Sequence, residues 1–150
     1  MTSKTDVQEF YASQPIAVVG VSRDTKKFGN SAYKSLKEQG YKVIPINPNT
    51  DTIEGDRCYP DLKSIPEKIG GVLVIVPPKK SEEVVREAHE TGINRVWLQQ
   101  GAESQDAIKY CQDNGMTVIH NECIMMYADH SAGFHRFHGF IWRLMGKAPR

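Results

Sequence analysis

The chain alternates between two kinds of pattern. Apolar runs with little polar interruption recur at Ile16 to Gly20 ("IAVVG"), after Gly40 in "YKVIPI", at Gly71 to Pro78 ("GVLVIVPP"), after Gly92 in "INRVWLQ" and after Gly115 in "MTVIH". Between them, apolar residues fall at helical spacing: Ala32, Tyr33 and Leu36 within Asn30 to Gln39, Val84, Val85 and Ala88 behind Ser81, and Ala107, Ile108 and Cys111 behind Ser104. A continuous run such as Val72 to Val76 suits a parallel strand covered on both faces, because a strand with one wet face would alternate. Gly40, Gly92 and Gly115 stand where each helical stretch stops, at the position just past a helix that asks for a positive φ, and Ser81 and Ser104 read as N-caps. The sum is an α/β fold: a doubly wound, mostly parallel five-stranded sheet of Rossmann-like type with right-handed crossovers, in a single domain.

Three stretches depart from that rhythm. Asn47 to Pro66, with its prolines, Gly55 and "DRCYPDL", reads either as a small extra strand or as an irregular connection. "TDVQEFYAS" predicts a short N-terminal helix over about 5–13 that lays Val7, Phe10 and Tyr11 on the domain, and "SAGFHRFHGFIWRLMGKAPR" predicts an aromatic helix over about 133–145.

Composition narrows the classes. With 150 residues, 39% hydrophobic and 25% charged, the chain can bury one core and is short for two. A formal net charge of +1 gives no global field to recruit nucleic acid or an anionic membrane, so neither is expected as a partner and any anion site must be local. Cys58, Cys111 and Cys123 are odd in number and never spaced as C-x-x-C, which argues against a disulfide framework or a zinc site and leaves them as small packed hydrophobes. "MTSKTDVQEF" lacks the apolar core of a leader, and no apolar run reaches membrane-spanning length, so the expected location is cytoplasmic.

The candidate chemistry lies in "VVGVSRDTKKFGNSAYKSL", Val18 to Leu36: a strand, a turn at Gly20, and a helix beginning near Gly29 to Ser31. In an open parallel sheet, ligands bind beyond the carboxyl ends of the strands, where the winding reverses. A helix starting there directs free N–H groups and a partial positive charge at the turn, which is thus competent for a phosphate before any side chain is counted. A dinucleotide fingerprint would need G-x-G-x-x-G and an acid near the end of the second strand. Here Ser22 replaces the second glycine, the next glycine is Gly29, and "IPINPN" puts Asn47 in the acid's place, so NAD is disfavoured. Arg23, Lys26 and Lys27 suit a ligand with more phosphate charge, coenzyme A or NADP, although as charge alone they read equally as a solvated basic loop.

That segment, with "GVLVIVPPKKSEEVVREAHETGINRVWLQQGAES" and "NGMTVIHNEC", resembles the small stand-alone CoA-binding domain family, itself similar to the N-terminal domain of the succinyl-CoA synthetase α subunit. The likeness runs from Ile16 to Met126 and rests on G-x-S-x-x-x-x-K-x-G combined with "INP" after the second strand and "VPP" after the central one. The resemblance implies that Gly20, Ser22, Lys27, Phe28, Gly29 and Asn30 line the phosphate turn. It also implies that Asn47 and Pro48 lie near the adenosine and ribose end, and that Val76, Pro77 and Pro78 form the opposite lip. Arg23 and Lys26 join them on electrostatic grounds.

The synthetase carries a phosphorylated histidine on a second domain for which this sequence has no room, and no nucleophile elbow, P-loop or two-histidine metal motif occurs. His120 has no recognisable nucleophile or orienting acid and reads as structural. Asp129, His130, His135 and His138 read as part of an amphipathic packing tail in which Phe134, Phe137 and Trp142 cover the domain or a second subunit, so no metal and no catalytic residue is assigned. The expected function is non-catalytic binding of coenzyme A or an acyl-CoA. Two alternatives stay open: an NADP-dependent reductase or small acyl-CoA enzyme, and a nucleotide-responsive module with a homodimer or other protein partner.

Overall fold

The five apolar runs become strands β1 (Ile16–Val19), β2 (Val43–Ile46), β5 (Gly71–Val74), β6 (Arg95–Gln99) and β7 (Thr117–Glu122) of one sheet in the order β2-β1-β5-β6-β7. The computed structural model describes residues 4–24 and 26–124. All four strand pairings are parallel, with Ile16 opposite Val43 and Gly71, Val72 opposite Val96, and Arg95 opposite Thr117. Among the described residues four α-helices accompany the sheet: α1 (Lys4–Ala12), α2 (Phe28–Glu38), α3 (Pro78–Glu90) and α4 (Gln105–Asp113). The tail histidines and the helix expected over about 133–145 lie outside the described residues.

Two apolar clusters sandwich the sheet, as the period of two along a strand demands. Ile16 and Val18 join Phe10 of α1 and Ala32, Tyr33 and Leu36 of α2 on one face, together with Leu73, Trp97 and Ile119. Ala17, Val72, Val74, Val96 and Leu98 meet Val85 and Ala88 of α3 and Ala107, Ile108 and Cys111 of α4 on the other. Trp97 is fully buried, stacks edge-on with Phe10 at 5.2 Å between ring centres, and donates its indole N–H to the Glu122 carbonyl at 3.1 Å. The buried indole thus satisfies its donor, as a tryptophan in a core must.

The glycines after the helices behave as their positions require. Gly40, Gly92 and Gly115 have φ of 94°, 86° and 71°. The next residue's N–H in each case reaches back to the helix: Tyr41 to Leu36, Ile93 to Ala88 and Met116 to Cys111. This closes three Schellman ends. Ser104 caps α4 as expected, its Oγ accepting from the Ala107 N–H at 3.0 Å.

Ser81 does not cap α3. The helix starts earlier, at Pro78, because a proline at the first helical position has no N–H to satisfy and a φ already suited to the turn. Ser81 is then buried inside the helix and donates to the Ala102 carbonyl at 2.6 Å. The run Gly71 to Pro78 also stops being strand sooner than its apolar length suggests, at Val74, since α3 begins four residues on. Asn47 to Pro66 holds a hairpin, β3 (Thr52–Ile53) with β4 (Asp56–Arg57), followed by a 3-10 turn at Leu62–Ser64.

Candidate functional site

After β1 the chain moves outward to β2 and then returns across it to β5, so the reversal of winding lies at the carboxyl ends of β1 and β5. Gly20 ends β1 at that point with φ 125°. The chain packs so closely there that a Cβ on Gly20 would lie 2.0 Å from the Ile75 carbonyl oxygen, and one on Gly29 would lie 2.3 Å from the Gly20 carbonyl oxygen. Only glycines let β1, β5 and the start of α2 meet at this spacing.

Two asparagines hold the turn from either side. Asn30, 2% exposed, accepts from the Ser22 N–H at 2.8 Å and donates to the Ser22 carbonyl at 2.6 Å. Asn47 donates to the Val21 carbonyl at 2.7 Å and accepts from the Asn49 N–H at 2.6 Å. Both amides are spent on the backbone, so these residues shape the turn. Inside it, Ser22 Oγ accepts from the Asp24 N–H at 3.0 Å and the Asp24 carboxylate accepts from the Lys26 N–H at 3.0 Å.

The turn keeps two resources uncommitted. Helix α2 has Lys27 at its N-cap and no side chain capping it, which leaves first-turn N–H groups directed outward. The side chains of Arg23, Lys26 and Lys27 form no ion pair among the described residues, whereas those of Lys37, Lys42, Lys63, Arg86, Arg95 and Lys109 each do. A helix end and three such cations around one turn have the chemistry to attract an anion, with the Asp24 carboxylate as the one opposing charge in the turn.

Beside the turn, on the α3 face of the sheet, opens a cleft of about 370 Å³. Of the residues assigned to one ligand from the sequence, Gly20, Asn47, Pro48 and Val76 line it. Ser22, Arg23, Lys26, Lys27, Phe28, Gly29 and Asn30 stand outside its lining, in the turn itself, and Pro77 and Pro78 supply the N-cap and first residue of α3. The sequence reading missed Pro60, Asp61, Lys80, Glu83, Val84 and Glu87 as lining residues. The last four form an i, i+3, i+4, i+7 stripe on α3, a signal legible in "KKSEEVVRE" once the helix is known to begin at Pro78. Glu87 accepts from the Leu62 and Lys63 N–H groups at 3.0 and 3.3 Å, and Asp61 caps the 3-10 turn through the Ser64 N–H at 2.9 Å. These carboxylates therefore fix the cleft's outer wall. A second hollow, about 320 Å³ along the outer edge of β2, has its lysines already paired, Lys37 with Asp56 at 2.6 Å and Lys42 with Glu67 at 2.8 Å.

His120 sits on β7, the last strand of the sheet, three places from β1, with the Asn121 amide 3.1 Å from its Nδ1. Cys58 and Cys111 are buried, and burial pushes the Cys111 thiol up to about 12. Cys123 is half-buried and accepts from the Gln99 amide at 3.2 Å. Among the described residues no cluster of three or more metal-ligating side chains occurs, and no helix is long and apolar enough to cross a membrane.

Known proteins resemble this chain in sequence and in overall fold. The model of a family described as "CoA binding domain" matches residues 14–129. The uncharacterized protein YneT of Bacillus subtilis (strain 168) is 32% identical over 123 residues, which is 81% of this chain and 91% of that protein. The α subunit of an ADP-forming acetate–CoA ligase II from Pyrococcus furiosus is 29% identical over 133 residues; the match takes in 81% of this chain and 29% of the subunit, so this chain spans less than a third of that relative. Among solved structures, a hypothetical protein from Pyrococcus horikoshii OT3 superposes with a TM-score of 0.76 at 33% identity, over 83% of this chain and 88% of that one.

Proposed function

The chain belongs to the CoA-binding domain family, and from that premise we propose that it binds coenzyme A or an acyl-CoA in the cytoplasm and performs no chemistry on it. The observation that carries this reading is the uncapped start of α2 beside the unpaired Arg23, Lys26 and Lys27. Charge of that kind suits a ligand with several phosphates, and the acetate–CoA ligases among the relatives handle CoA by name. The pyrophosphate lies across the turn from Gly20 to Asn30, and the nucleoside enters the cleft beside Asn47 and Pro48. The setting of His120 supports a role in binding alone. His120 has an amide rather than a carboxylate beside its ring and stands on the far strand.

Isothermal titration of nucleotide-stripped protein with CoA, dephospho-CoA, NADP and NAD tests this directly. The expected outcome is selective CoA binding. Preference for NADP, or equal binding of all four, would overturn it. Replacing Arg23 and Lys27 together by alanine is expected to weaken CoA more than dephospho-CoA, since the two ligands differ only in the ribose 3′-phosphate; equal losses would move that phosphate away from these side chains. Turnover of an acyl-CoA that disappears in His120→Ala would replace the binding reading with an enzymatic one.

A further inference from the structure

We propose that Phe28 is the side chain against which the pantetheine arm of CoA packs, so that the turn favours a phosphate ligand carrying an apolar arm over one that lacks it. The proposal rests on the CoA-binding reading above and names a residue that distinguishes among its ligands. Phe28 is the large hydrophobic side chain left exposed among the described residues, at 42%, and it joins neither apolar cluster. It is also the first residue of α2. Side chains on a helix tilt toward its N-terminus, so one in the first turn leans over the loop that precedes the helix and not over the helix body. The loop here is the turn from Gly20 to Lys27, which puts an apolar ring beside the free N–H groups and the unpaired cations.

The two faces of the sheet then assign the parts of the ligand. The cleft with Asn47, Pro48 and Val84 lies on the α3 face, and Phe28 is not among the residues that line it. Helix α2 covers the opposite face. A CoA molecule with its nucleoside in the cleft and its pyrophosphate on the turn has one part left, the pantetheine arm, which leaves the turn on the side where Phe28 stands. Packing the arm on the ring removes apolar surface of both from water. The arm carries no charge to pair with the lysines, so the ring offers it an apolar contact that the cations of the turn do not.

The test compares CoA with 3′-phosphoadenosine 5′-diphosphate, which keeps the nucleoside and all three phosphates and lacks the arm, by titration into the wild type, Phe28→Ala and Phe28→Leu. Phe28→Ala is expected to weaken CoA about tenfold and to change the armless nucleotide by less than about twofold, with Phe28→Leu recovering most of the loss. Circular dichroism confirms that each variant is folded, and the leucine variant preserves the comparison should the alanine variant unfold. Equal losses for both ligands would assign Phe28 to shaping the turn, and an unchanged CoA affinity would remove it from the site; either overturns the proposal while leaving CoA binding intact. A wild type that binds neither ligand would remove the CoA-binding reading and this inference with it.

Discussion

The junctions β1–α2 and β6–α4 lie on the same carboxyl edge of the same sheet, each a strand running through a glycine into a helix, yet they dispose of their polar groups in opposite ways. At β6–α4 the chain satisfies itself. Ser104 caps the helix, Glu103 accepts from the Gly101 and Asn121 N–H groups at 2.8 and 3.0 Å, and Gln99 accepts from the Ile124 N–H at 2.9 Å. At β1–α2 the frame is braced as firmly, through Asn30 and Asn47, but no side chain caps the helix and the side chains of its cations form no ion pair among the described residues. A helix start without a side-chain cap leaves backbone donors that a ligand could take up, and at β1–α2 these stand beside three cations. The difference between the two junctions is thus what the proposed ligand site rests on.

The sharpest way to break the comparison is through the glycines. Gly20→Ala is expected to cost about 3 kcal/mol or more, because its Cβ would fall on the Ile75 carbonyl and its φ would remain positive. Gly101→Ala at the other junction meets open space and carries only the strain of a positive φ, about 1–2 kcal/mol. Urea unfolding of the pair measures both; equal losses would mean that the close approach of β1 and β5 relaxes freely. Next comes Asn30→Ala, which leaves the Ser22 N–H and carbonyl without their buried partner and is expected to cost about 2–3 kcal/mol while also weakening CoA. Ser104→Ala removes a cap of ordinary worth, about 1 kcal/mol, and is expected to leave CoA affinity alone. A Ser104 variant that loses CoA would erase the distinction between the junctions.

Much of this was legible in the sequence, and the part that was not has physical reasons. Five mostly apolar runs, one of them continuous from Val72 to Val76, and three helix-ending glycines were enough for a parallel sheet with its strands in the right places, since those features report burial and positive φ directly. The turn from Gly20 to Asn30 stands out in the sequence because a glycine pair and a basic loop before a helix are local features, and its role as an anion site is the proposal made above. What a sequence does not carry is which groups are already taken. That Asn30 and Asn47 spend their amides on Ser22 and Val21 depends on contacts across 8 and 26 residues. The outer wall of the cleft escaped notice for a similar reason: Asp61 and Glu87 come from a connection without regular pattern and from a helix whose start was placed at Ser81 instead of Pro78.

Thiol reactivity offers a further test of the closed junction. Cys111 is buried, and that burial alone raises its thiol to about 12, so it holds almost no thiolate at neutral pH. Cys58 is raised as well, by burial and against a hydrogen bond to the Asn47 carbonyl. Cys123 is half-buried. Iodoacetamide at pH 8, followed by peptide mass spectrometry, is expected to label Cys123 first and the other two only as the protein unfolds, because the thiolate is the reacting form. Early labelling of Cys111 would show that α4 opens from the sheet readily, contrary to a junction that satisfies its own groups.

The smallest effect concerns the far end of α2, where Asp56 of the hairpin accepts from Tyr33 and Lys37, the latter at 2.6 Å. Burial on its own would raise the Asp56 carboxyl, but the hydrogen bonds from Lys37 and Tyr33 and the Lys37 charge outweigh it and hold the group below the usual carboxylate value. A lowered folded value means that the carboxylate stabilises the fold at pH above the unfolded value, roughly 4. That contribution disappears as pH falls through the lowered folded value. Asp56 and Lys37 are both partly exposed, so solvent screening keeps the contribution below about 1 kcal/mol. Asp56→Asn is therefore expected to lower stability slightly at neutral pH and to flatten the acid limb of the pH–stability curve, with the two proteins converging near pH 2. If the curves stay parallel down to that pH, the hairpin anchors α2 through the Tyr33 hydroxyl and packing rather than through charge, and the brace behind the open junction is electrically neutral.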